Sequence, residues 1–129
     1  MIDKKSKDSI LDTNDKMLRE IRCLLGLVET GLKIAKKEKN YIFLIRLGNC
    51  QDLLGLAQAS IKLVMSIIKE DADKKDAKKA AMELLAVATE HLELAKFNYA
   101  CYLEIRKNPD RSAEEIMEAA SKRTESLYI

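Results

Sequence analysis

Between Asn40 and Ile68 the residues Phe43, Leu47, Cys50, Leu54, Ala57, Ile61, Val64 and Ile68 recur in alternating steps of four and three. A 3.5-residue repeat keeps its members on one side of an α-helix, so the spacing predicts a helix with one continuous buried stripe. A second row, Ile42, Ile45, Leu53, Leu56, Leu63 and Ile67, lies beside the first. It predicts cover from a second neighbour and makes this segment the middle helix of a bundle. The strip that remains is Gly48, Asp52, Gly55, Ala59, Lys62, Ser66 and Lys69, small or polar throughout. Glycine in a helix interior costs about 1 kcal/mol relative to alanine. Close approach of another helix would account for Gly55, whereas Gly48 followed by Asn49 marks either a similar contact or a kink.

Similar patterns flank this segment. A first helix is predicted from about Ser9 to Lys39, with Leu11, Leu18, Ile21, Leu25, Val28, Leu32 and Ala35 as its seam and Leu24, Leu27 and Ile34 widening it. Asp8 and Asp12 sit in its first turn and Lys33, Lys36, Lys37 and Lys39 in its last, as the helix dipole favours. Asn40 is the expected cap of the second helix. The polar run 69–79 holds the next turn, with Asp73 or Asp76 capping a third helix that continues to about Lys107. Leu84, Val87, His91, Leu94, Cys101 and Ile105 form one of its rows, and Met82, Leu85, Leu92, Tyr99 and Leu103 another. Asn108-Pro109 ends it, because the residue before proline avoids helical geometry. Ser112 with Glu115 has capping-box spacing and opens a short fourth helix to about Leu127, with Ile116, Met117, Ala120 and Leu127 as its apolar side.

Long helices joined by short turns alternate in direction. The expected fold is all-α, an antiparallel up-down-up bundle of three long helices plus a short fourth. Residues 1–7 are expected to form a disordered tail and 8–129 a single domain.

Composition supports helix. The chain has 129 residues with 4 glycines and 1 proline, and its common residues lose little freedom on a helical backbone. A net charge of +2 does not by itself call for a polyanionic partner. Cys23, Cys50 and Cys101 are odd in number and widely spaced, which suits core packing in a reducing cytoplasm. The charged N-terminus lacks the apolar centre of a secretion signal. Arg46, Asn49, Gln51, Asp52, Gln58 and Lys62 interrupt the apolar middle helix and argue against a membrane span.

Little in the sequence points to catalysis. His91 is the single histidine, and Val87, Ala88, Leu94 and Ala95 surround it one turn away. A nucleophile, an orienting carboxylate or further metal ligands would be needed beside it. It is expected to be a hydrogen-bonded core or edge residue that, with Asn98, fixes the register of packing. Glu90 and Glu93, with Glu114, Glu115 and Glu118, have spacings that helical magnesium-dependent pyrophosphohydrolases use. Their order along the chain is reversed from that family's, and they are expected to form solvated faces. No cofactor or metal is expected.

Charge placement adds a second candidate surface. In an alternating bundle Lys33, Lys36, Lys37, Lys39, Arg46, Arg106, Lys107 and Arg111 share one pole and form a candidate polyanion contact. The first candidate is a protein interface of Gly48, Asp52, Gly55 and Ala59, with Phe97 and Ala100 on the side of the third helix left over. The function expected is that of a cytoplasmic, non-enzymatic bundle working through protein contacts, as an adaptor, chaperone-like or assembly subunit, with homodimerisation the expected association. A small nucleic-acid-associated subunit using the basic pole is the alternative, and a magnesium-dependent hydrolase the third.

Overall fold

A computed structural model describes residues 2–126. It contains four helices in chain order, α1 (Lys4–Lys37), α2 (Tyr41–Glu70), α3 (Ala77–Lys107) and α4 (Ala113–Ser126), with no strand among the described residues. The three long helices pack together and alternate in direction. At one pole the backbone N–H of Ile2 donates to the carbonyl of Ala72, 3.0 Å away, joining the start of α1 to the α2–α3 turn. At the other pole Arg106 and Glu38 pair at 3.3 Å, so the ends of α1 and α3 lie side by side.

The caps follow the local sequence. The Asn40 side chain accepts from the N–H of Phe43 at 3.1 Å. The Ser112 hydroxyl accepts from the N–H of Glu115 at 3.2 Å, the first bond of the expected box, and donates to the Glu115 carboxylate at 3.0 Å, where a full box would have the Ser112 backbone N–H as donor. Asp76 occupies the cap position of α3 in a left-handed conformation, φ 65°, without a side-chain cap bond. Here the turn geometry, rather than the carboxylate, positions the helix start.

The first residues differ from the expected tail. The Asp3 side chain accepts from the N–H of Ser6 at 2.7 Å and starts α1 at Lys4, five residues earlier than the apolar seam indicates. Ile2 is buried in the core. A capping aspartate and one anchoring isoleucine are enough to order a lysine-rich segment. Leu127, assigned to the fourth helix, lies outside the described residues.

The inner stripe of α2 is as expected, with all eight residues from Phe43 to Ile68 buried. Its partner stripe on α3 matches the expected rows at Leu85, Leu92 and Tyr99 and departs from them elsewhere. The buried row there is Ala77, Ala81, Leu85, Ala88, Leu92, Ala95, Tyr99 and Tyr102, while Met82, Val87 and Leu94 are exposed. Small side chains let two helices approach, and α2 and α3 are the most closely associated pair. The Cys50 thiol donates to the Ala95 carbonyl at 3.7 Å across this contact. Burial pushes that thiol up to about 11, and nearby Cys101 pushes it the same way.

On α1 the buried row is Ile10, Asn14, Met17, Ile21, Leu24, Val28, Gly31 and Ala35. Leu11, Leu18, Leu25 and Leu32 fall to its half-buried flank, so the helix is rotated from the expected seam. Gly31 is the glycine at a close approach, since a Cβ there would lie 3.0 Å from Cδ1 of Leu47 and 3.3 Å from the Tyr102 hydroxyl. Phe43 and Tyr102 close this end of the core edge to face, with ring centroids 5.0 Å apart.

Candidate functional site

The face of α2 turned away from the core is the candidate site. Residues three and four apart share a helix face, so the buried stripe leaves Gly48, Asp52, Gly55, Ala59 and Lys62 pointing outward. The structure leaves Asp52, Gly55, Ala59 and Lys62 exposed and Gly48 half-buried. A Cβ built on Gly48 or Gly55 meets nothing within 4 Å. Among the described residues no helix approaches Gly55, and α2 runs on through Gly48 and Asn49 without a break. The close contact expected there is not made within the monomer.

The second apolar row of α2 is a further correction. Leu53 and Ile67 are half-buried, but Ile42, Ile45, Leu56 and Leu63 are 66%, 65%, 52% and 54% exposed. The second neighbour that this row predicts does not cover it. The reason lies in α4, which among the described residues packs on α3 and not on α2. Its Ile116 and Ala120 meet Phe97, Ala100 and Cys101 in a small separate cluster. Phe97 and Ala100 are therefore internal contacts of the fold and leave the candidate interface.

What holds α4 on α3 is a buried carboxylate that periodicity gives no sign of. Glu104 accepts from Arg111 at 2.8 Å and from Nε of Arg123 at 2.7 Å. Arg111 also donates to the Glu104 carbonyl at 2.6 Å. Hydrogen bonds from Arg111 and then Arg123 hold the Glu104 carboxyl below its ordinary range. A second ionic tie crosses from α3 to α1, where Lys96, itself buried, pairs with Glu20 at 3.0 Å and with Glu93 at 3.0 Å.

These ties thin the basic pole. Arg111 is committed to Glu104, and Arg106 donates to the Tyr102 hydroxyl at 2.9 Å as well as to Glu38. Lys33, Lys36, Lys37, Lys39 and Lys107 remain exposed there. Arg46, also exposed, lies instead on a groove of about 280 Å³ with Phe97, Asn98, Cys101, Ile116 and Met117.

The acidic and histidine candidates do not converge. Glu90 and Glu93 are exposed on α3, and Glu114, Glu115 and Glu118 are exposed on α4. Glu115 is used by its capping serine, and Glu118 pairs with Lys122 at 3.7 Å. Among the described residues no three His, Cys, Asp or Glu side chains are grouped to hold a metal ion. His91 is half-buried, and its Nδ1 is buried without a hydrogen-bond partner among the described residues, contrary to the bonded histidine expected. Oδ1 of the fully buried Asn14 is in the same position.

No family model, curated protein or solved structure matches this chain. Function must therefore be argued from the surface itself.

Proposed function

We propose that this protein acts by binding another protein along the outward face of α2, in the manner of an adaptor or assembly subunit. The observation that supports this is the exposure of Ile45, Leu56 and Leu63 on the side of α2 opposite a complete core stripe. Single apolar side chains on a surface are ordinary, but a row of them on one helix tends to mark an interaction site. An amphipathic face presented this way fits a second helix laid alongside it.

Lipid is the competing occupant. By length and composition alone Tyr41–Glu70 is apolar enough to cross a membrane, and only 33% of its most apolar stretch is buried in the bundle. Two features favour protein. The Phe43–Ile68 stripe is already used against α1 and α3. The outward face also has Asn49, Asp52, Lys62 and Ser66 among its apolar residues, whereas a helix lying in a lipid interface keeps charge on the opposite side.

The test is photo-crosslinking in cells, with benzoylphenylalanine placed at Leu56 or Leu63 and, as a control, at the exposed Glu83 of α3. Discrete protein adducts are expected from the two α2 positions and not from the control. Equal adducts from all three positions would count against the face. Lipid adducts, together with flotation of the purified chain on vesicles, would replace the protein reading with a membrane one.

A further inference from the structure

We infer that the occupant of this face is a second copy of the same chain, its α2 lying antiparallel to the first, with the two-fold axis level with Ala57. This rests on the protein-binding reading above and adds the partner and the register. Gly48, Asp52, Gly55, Ala59, Lys62 and Ser66 follow one another in steps of four, three, four, three and four, so the stripe has the same spacing from either end. Reversed about Ala57, it sets Asp52 against Lys62, Gly55 against Ala59 and Gly48 against Ser66. A two-fold axis makes each of these pairings twice, because it uses one surface on both copies.

Charge chooses this arrangement over its neighbours. A parallel pair in register would set Asp52 beside Asp52 and Lys62 beside Lys62, and like charges brought together repel. Sliding the antiparallel pair by one layer in one direction puts Asp52 opposite Ala59 and Lys62 opposite Gly48. Sliding it one layer the other way puts Asp52 opposite Ser66 and Lys62 opposite Gly55, and a second layer trades the central ion pair for one with Lys69 at the helix end. Only the register centred on Ala57 pairs Asp52 with Lys62 in both halves. Both side chains are exposed, and neither enters an ion pair among the described residues.

Size and polarity agree with charge. The layers at Gly48 and Gly55 are open, with nothing within 4 Å of an added Cβ, so the two backbones can approach closely. Leu56, one residue from the axis, then meets its own copy, and Ile45 and Leu63 extend the same flank on either side. The exposed apolar row and the two unexplained glycines both find a partner in this one contact.

Sedimentation equilibrium on wild type, Asp52→Lys, Lys62→Asp and the double variant tests the register. The wild-type chain is expected to be a dimer. Either single change should weaken it by about tenfold or more, because two like-charged contacts replace two opposite ones. The double change should return the dissociation constant to within about threefold of wild type, since each pairing is restored with its ends exchanged. Circular dichroism should be the same for all four proteins. Gly55→Leu, which points into open space in the monomer, should stay folded and lose the dimer.

A double variant no tighter than either single variant would overturn the register. A wild-type chain that stays monomeric in the millimolar range would overturn self-pairing altogether. In that event adducts from Leu56 to some other protein would leave the binding face standing, and a lack of protein adducts there would remove both inferences.

Discussion

The two apolar stripes of α2 have the same period and opposite fates. Phe43, Leu47, Cys50 and Leu54 belong to a stripe that is buried from end to end, while Ile45, Leu56 and Leu63 on the opposite side stand in solvent. Periodicity tells which side chains share a face. It does not tell whether a neighbour exists to cover that face. Among the described residues α1 and α3 both lie against the inner side of α2, and Glu104 holds α4 on α3, so no helix covers the outer row. A face that is redundant for folding is available for binding, and the difference can be measured.

The largest contrast is between Leu54 and Leu56. Leu54→Ala empties a fully buried position and should cost roughly 2–5 kcal/mol by urea unfolding. Leu56→Ala removes the same atoms from an exposed position. In protein dilute enough to be monomeric it should shift stability by no more than about 0.5 kcal/mol. Equal losses would mean that the outward stripe is covered within the chain.

The glycines should separate the two sides by a smaller margin. Gly55→Ala, with open space at its Cβ, should gain about 0.5–1 kcal/mol in the monomer by easing a helix-weakening residue. Gly31→Ala makes the same backbone gain but brings its Cβ to 3.0 Å from Leu47. It should show no net stabilisation in the same unfolding experiment.

This pair also shows what could be read from the sequence. The four-helix order, the α2 core stripe, the Asn40 cap and the Ser112 cap all follow from local patterns, because caps and stripes are decided within a turn or two of helix. The glycine that matters was not legible. Gly48 and Gly55 stand out in an apolar segment, yet the one against packed neighbours is Gly31, whose crowding is set by Leu47 and Tyr102 from two other helices. The α3 seam is legible only in part for a related reason. Leu85, Leu92 and Tyr99 are buried as their row predicts, but alanines rather than Val87 and Leu94 complete the stripe, because the close fit to α2 favours small side chains between the large ones. Of the candidate interface, Gly48, Asp52, Gly55 and Ala59 remain on the outward side, whereas Phe97 and Ala100 went to α4 through an ionic tie between residues 7 and 19 positions apart.

That tie gives a change confined to α4. Arg111 and Arg123 hold the Glu104 carboxyl low, so its ionised form belongs to the folded state. The stabilisation is fully present above the ordinary carboxyl value of about 4.3 and is lost as pH falls through the lower folded value. Hydrogen exchange should show α4 amides losing protection in acid before those of α2. Glu104→Gln should lower α4 protection at neutral pH and remove this part of the acid dependence. Loss of protection across all four helices at once would contradict an anchor specific to α4.

The smallest effect is expected at the basic pole. Lys36 and Lys37 are exposed, and changing both to glutamate should alter the unfolding free energy by no more than about 0.5 kcal/mol. A polyanion-binding pole would reveal itself as salt-dependent retention on nucleic acid that this variant weakens. Equal retention of variant and wild type would remove these lysines from any such role.

On the proposed reading the outward face of α2 serves association and not folding, and one double variant asks for both at once. Leu56→Asp with Leu63→Asp places two carboxylates on that face without touching the core stripe. Light scattering and thermal unfolding of the same samples should show a chain that melts close to wild type but has lost its associated mass. A variant that unfolds, or one that keeps the wild-type mass, would contradict that division of α2 into an inner and an outer face.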